Sequence, residues 1–179
     1  YPLQYLELKG YDTLIMSTEP VQNENILIVD LDEALVKAYE GYPLPRSLYA
    51  ELITKTNAVP GITVLMPDPD IRGKENDLLL SNSMREVPTV LASAASAQTS
   101  EQGLHVGTAQ LGEDPLPWLY QYQGILRTES ILALNRKGLG LVTATPEIDG
   151  VTRRIPLVVN VQSKLYPAFA LELLRLAVN

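Results

Sequence analysis

The stretch from Gly140 to Pro156, GLVTATPEIDGVTRRIP, constrains the fold more than any other part of the chain. Leu141-Val142-Thr143 reads as the end of one strand and Val151 to Val159 as the returning one, with Glu147-Ile148-Asp149-Gly150 as the turn between them. Asp-Gly suits that turn, because Asp bonds its own backbone and Gly takes positive φ without steric cost. The expectation is a β-hairpin. Arg153 and Arg154 follow the turn, and on an extended strand they must point to opposite faces. One of them then faces whatever covers the sheet. There it needs a carboxylate or an anionic ligand, since an unpaired guanidinium in the interior is very costly. A structural ion pair or a solvated edge is the alternative to a ligand.

Taken in order, the chain opens with Leu3, Leu6, Tyr11, Leu14 and Ile15 at helical spacing, interrupted by Gly10, which predicts an amphipathic helix with a break. Ile26 to Asp32, ILIVDLD, is an apolar run too short for a helix, and predicts a buried central strand ending in two carboxylates. Helical spacing resumes at Ala34-Leu35-Val36. Gly41-Tyr42-Pro43-Leu44-Pro45 must be irregular or extended, because each proline restricts itself and the residue before it. Arg46 to Lys55 is a helix with Leu48, Tyr49, Leu52 and Ile53 on one stripe. Pro60 to Met66 predicts a turn and a second strand, 74–84 a helix, and Thr89 to Ala92 a third strand.

The run from Ser93 to Gln102 is small and polar, and predicts an exposed loop. Gly103 to Leu111 reads as a hairpin arm, Gly112 to Trp118 as a loop, and Tyr120 with Tyr122 as part of a strand. Thr128 is placed to cap a short helix that runs to Asn135. Pro167 to Val178 predicts a closing helix with Pro167 in its first turn. Strands alternating with helices, then hairpins and a final helix, argue for an α/β fold: one domain over 1–179, with a mixed β-sheet flanked by helices.

Composition narrows the chemistry. The 179 residues carry 14 basic and 21 acidic side chains, a net charge of −7, which argues against binding nucleic acid or an anionic membrane surface. With no cysteine, disulfides, thiolate metal sites and cysteine nucleophiles are excluded. His105 is the one histidine, so a zinc site would need mostly carboxylates; no metal and no cofactor is expected. No stretch approaches the roughly eighteen apolar residues of a membrane helix, and no basic-then-apolar leader opens the chain. The first residue is Tyr1, which suggests a piece of a longer protein.

The sharpest candidates for chemistry are Asp30 and Asp32, two acids on one side of an extended chain at the carboxyl edge of a sheet, where α/β folds bind ligands. That arrangement resembles the first motif of haloacid-dehalogenase-type phosphatases, although Ala34 replaces the usual Thr or Val. Capping a turn or pairing with arginine is the plainer role for such acids. A serine nucleophile lacks its G-x-S-x-G elbow, and Gly138-Leu139-Gly140 lacks the Lys-Ser/Thr of a phosphate loop. The nine tyrosines, Trp118 and Phe169 serve mostly packing, with Tyr42, Tyr49 and Trp118 able to line a pocket.

Five stretches in order carry a resemblance: Leu6-Glu7 with Tyr11-Asp12, ILIVDLDE from Ile26, GYPLPRSLYAELI from Gly41, GLVTATPEIDGVTRRIPLVV from Gly140, and PAFALELLRLA from Pro167. Together they resemble the second type of the CHASE families, extracytoplasmic sensory domains associated with bacterial cyclases and histidine kinases. The chain departs from the family pattern at Leu65-Met66-Pro67-Asp68, where an Asp and a Phe are common. The resemblance implies a non-catalytic input module outside the membrane. It would sit between flanking membrane helices, respond to an unknown small-molecule or protein signal, act as a homodimer and control a cytoplasmic cyclase or kinase. It brings no ligand and no site residues.

From the residues themselves, Asp30 or Asp32, Arg46, Asp149, and Arg153 or Arg154 are expected to form a polar cluster at strand and helix ends. A ligand preferring one arrangement of that cluster would shift the N-terminal helix against the Pro167 helix. The same residues could instead form a buried salt-bridge network. Three classes stay open: a ligand-responsive sensor, a protein-interaction or dimerisation module, and a phosphatase using Asp30 and Asp32.

Overall fold

A computed structural model describes residues 2–21, 23–56, 58–98 and 111–178. The architecture is mixed α/β, and it divides into two compact units: Tyr1–Tyr42 with Thr145–Arg153, and Pro43–Ala144 with Arg154–Asn179. Among the described residues no helix is long and apolar enough to cross a membrane.

The larger unit is built on a parallel sheet. Strands β1 (Gly61–Ile62), β2 (Val90–Ser93) and β6 (Gly138–Leu141) pair in that order, with Val90 opposite Gly138 and Ser93 opposite Leu141. Every residue of β2 and β6 is buried, as a sheet covered on both faces requires. Helix α6 (Phe169–Ala177) packs on β6 and β2, and a side chain at Gly140 would overlap the Phe169 backbone, so glycine lets the helix start close to the sheet. Helix α3 (Arg46–Lys55) packs on α4 (Lys74–Glu86), and α4 packs on α5 (Ser130–Asn135). The buried stripe of α4 runs Asp77, Leu80, Ser81, Met84, the spacing of one helix face. Ser81 Oγ donates to the Ile131 carbonyl at 2.8 Å and accepts from Asn135 Nδ2 at 2.6 Å, which ties α4 to α5.

Two small sheets complete this unit. β3 (Ala95–Ser96) pairs antiparallel with β5 (Gly124–Ile125), while β4 (Gln121–Tyr122) pairs parallel with β7 (Val158–Val161), which turns back into β8 (Lys164–Pro167). The β7–β8 turn puts Gln162 and Ser163 both at positive φ, the requirement of a type I′ hairpin, and Asn160 Oδ1 secures it by accepting the Ser163 N–H at 2.9 Å. Ile125, Leu139, Leu141, Val159, Val161 and Tyr166 form one buried apolar cluster.

The smaller unit holds α1 (Pro2–Met16), α2 (Glu33–Ala38) and the turn at 147–150. Helix α1 is unbroken at Gly10, correcting the expected interruption. The expected strand Ile26 to Asp32 does not form. Ile26, Leu27, Ile28 and Val29 are 67, 81, 85 and 58% exposed, and the N–H groups of 27–31 donate to nothing among the described residues. Apolar content alone does not name a strand partner. Here Asn23 turns the chain into the run and Asp32 is spent on the helix that follows.

The predicted hairpin is also corrected. The turn is present, with Gly150 at φ 79° and its N–H donating to the Glu147 carbonyl at 2.9 Å, but the flanks do not pair with each other. β6 is claimed by β2 and β7 by β4 and β8, and Pro146 and Pro156 remove ladder donors from the segment between. Three boundaries shift with physical cause. Pro167 ends β8, because Ala168 N–H bonds the Leu157 carbonyl at 2.7 Å. Glu129 occupies the N-cap position expected for Thr128, its N–H donating to Met66 at 2.8 Å. Of the expected 93–102 loop, Ser93 is buried in β2 and Ala95–Ser96 form β3, while 99–102 lies outside the described residues. So do His105 and nearly all of the predicted 103–111 arm.

Candidate functional site

In the smaller unit, the residues after β6 fold back on a single arginine. The Asp149-Gly150 turn is closed by Glu147 N–H to the Val151 carbonyl at 3.1 Å and by Val151 N–H to Asp149 Oδ1 at 3.2 Å. Asp149 thus bonds its own backbone two residues on, which fixes where its carboxylate points. That carboxylate receives Arg153 Nη1 at 2.9 Å and Nη2 at 2.7 Å. The other edge of the guanidinium, Nε and Nη2, donates to the two oxygens of Asp12 in α1 at 2.6 and 2.8 Å. Glu147 Oε2 completes the set at 3.3 Å from Nη1. A planar fork with five N–H groups is the one side chain able to hold two carboxylates bidentately.

Only 4% of the Arg153 side chain is exposed. Hydrogen bonding to Arg153 holds the Asp12 and Asp149 carboxyls below their ordinary range, and the same bonds raise the guanidinium above its own. All of these groups therefore stay charged at neutral pH. Lys9 adds a looser contact to Asp12 at 3.7 Å, one helical turn away.

Arg46 anchors a second network, in the larger unit. Helix α3 begins after Pro45, which offers no side-chain cap, and Asp70 supplies the cap from a distant loop by accepting the Arg46 N–H at 2.7 Å. The Arg46 side chain donates to the Asp77 carboxylate and to the Asp68 carbonyl. Asp77 also accepts the Asp70 N–H at 3.0 Å, and Asp70 Oδ1 accepts the Arg72 N–H at 2.8 Å. Beside this network lies an open hollow of about 250 Å³ lined by Pro69, Lys74, Asp77, Leu78, Glu129 and Ile131.

The six residues singled out from sequence are thus distributed. Arg153 and Asp149 meet within one network and Arg46 anchors another. Asp32 caps α2, its Oδ1 accepting the Leu35 N–H at 2.9 Å, and Asp30 lies exposed on the extended 26–32 segment. Neither acid pairs with an arginine among the described residues. Arg154 is exposed where Arg153 is buried, and no strand carries either of them. Without a strand at 26–32, the sheet-edge placement that motivated the phosphatase reading is absent, and among the described residues no group of His, Asp and Glu is arranged to hold a metal ion.

Four acids of these networks were not singled out as site residues from sequence: Asp12, Glu147, Asp70 and Asp77. Asp77 left a signal, an acid on the apolar stripe of α4 that must be buried and so must be paired. Asp12 left none, because its partner is 141 residues away.

No curated protein and no solved structure matches the chain. The CHASE2 domain model matches residues 1–179, so the chain belongs to the CHASE2 family of extracytoplasmic sensory domains.

Proposed function

We propose that the chain is the non-catalytic input domain of a bacterial transmembrane receptor, and that its signal passes through Arg153 to a cytoplasmic adenylate or diguanylate cyclase or histidine kinase. The observation that supports this is the double grip of Arg153, with Asp12 of α1 on one edge and Asp149 of the turn on the other. A stimulus that favours one arrangement of the turn over another moves the population of α1 with it, by as much as its differential affinity for the two. The test is output in the full-length receptor: Arg153→Ala is expected to change basal or stimulated output. Unchanged output with unchanged stability would refute the coupling.

One observation favours a second reading, contact between two copies. Ile26 to Val29 present apolar side chains, and Leu27 to Val29 add backbone donors unused among the described residues, the features of a strand that pairs with another chain. The homodimer expected of such receptors could use this segment. Ile28→Lys would then lower the dimer fraction in sedimentation; a monomeric wild-type receptor, or a dimer indifferent to the substitution, removes this reading.

A further inference from the structure

Arg136 differs from the arginines that hold carboxylates in this chain. Arg46 has Asp77, Arg153 has Asp12 and Asp149, and Arg175 is held bidentately by the fully buried Glu172 at 2.8 and 2.8 Å. Arg136 is 9% exposed, and both its terminal nitrogens are buried with no hydrogen-bond partner among the described residues.

Its position is firmly set. The Arg136 N–H donates to the Leu132 carbonyl at 3.1 Å at the end of α5, and the next two N–H groups converge on the Thr89 carbonyl at 3.0 and 3.2 Å to start β6. The guanidinium lies within electrostatic reach of the Tyr166 phenol, itself part of the buried apolar cluster of β5 to β8. Burial pulls the Arg136 guanidinium below its ordinary value, with Tyr166 acting in the opposite direction.

A guanidinium in such a place is costly, and a methionine of similar reach would fill the volume without that cost. What a methionine lacks is a flat fork of donors matched to a carboxylate. Charge and the neighbouring Tyr166 cluster decide among anions: a small monocarboxylate brings one charge, which Arg136 neutralises, and an apolar body that suits that cluster. A phosphate dianion brings a second charge, which a single guanidinium leaves unneutralised. We propose that Arg136 is the anchor of a buried site for a small monocarboxylate, which receives the two terminal N–H groups of the guanidinium bidentately with its carbon chain against the Tyr166 cluster. Binding at Arg136 does not depend on coupling through Arg153, so loss of either leaves the other intact.

The test is thermal unfolding of the 179-residue chain in sodium acetate, butyrate or phosphate, each against sodium chloride at matched ionic strength. At tenfold excess over its dissociation constant, butyrate or acetate is expected to raise the midpoint by about 3–6 °C. Arg136→Met should unfold at the same or a higher temperature than wild type without added acid, and show no response to it. Arg136→Lys keeps the charge, loses the fork and should weaken the response about tenfold in concentration. No rise in wild type, an equal rise in Arg136→Met, or a rise with phosphate alone would overturn the proposal.

Discussion

Asp77→Ala tests the Arg46 network most severely. In the wild-type chain, 4% of the Asp77 side chain and 9% of the Arg46 side chain are exposed, so the pair is removed from water on both sides. Truncating Asp77 strands Arg46 with only the Asp68 carbonyl and removes the acceptor of the Asp70 N–H. Breaking one side of a buried pair costs about 3–5 kcal/mol, and an orphaned buried donor about 1–3. The two losses share one site and do not add, so about 3–5 kcal/mol is expected in total. At roughly 2–4 °C per kcal/mol for a chain of this size, the midpoint should fall by about 6–20 °C. Urea unfolding followed by circular dichroism gives the free energy directly. The paired replacement Arg46→Met with Asp77→Leu removes both charges and should fall within about 1 kcal/mol of wild type. A loss below about 1 kcal/mol in Asp77→Ala, or a double variant as damaged as the single one, would refute this reasoning.

The Arg153 tie should be sensitive to acid. Asp12 and Asp149 have folded values below the ordinary 3.8 of a carboxylate, so the unfolded chain binds protons first as pH falls. Their stabilisation is fully present above about pH 5, declines through the ordinary value, and is lost as pH passes the folded values; a stability profile from pH 7 downward checks this, and Asp149→Asn should flatten it. Gly140→Ala should destabilise by about 1–3 kcal/mol, because the added methyl overlaps the start of α6, and thermal unfolding measures it. A reporter fused after Asn179 in the full reading frame should report the extracytoplasmic side; a cytoplasmic signal would remove the receptor reading.

Local pattern was legible where one face of an element decides its burial. The α3 stripe gave its bounds at Arg46 and Lys55, and α4 and β2 were placed to within about two residues. Pairing was not legible, because β6 finds β2 nearly fifty residues upstream while its chain neighbour offers equally good strand residues. The 26–32 run shows the limit most plainly: hydrophobic content predicts burial, and in this chain nothing described covers it. At the site, the cost of an unpaired guanidinium asked for a carboxylate or an anionic ligand opposite whichever of Arg153 and Arg154 turned inward, and Arg153 is the one held by carboxylates. Asp149 is local enough to be read from the turn, whereas Asp12 depends on tertiary structure.

Hydrogen exchange of α1 in wild type and Arg153→Ala tests the central claim most directly, measured on the same samples as receptor output. The account predicts that amides from Lys9 to Met16 lose protection in the variant while those of α3 keep theirs, and that output changes with them. Unchanged protection across α1 with unchanged output would contradict it.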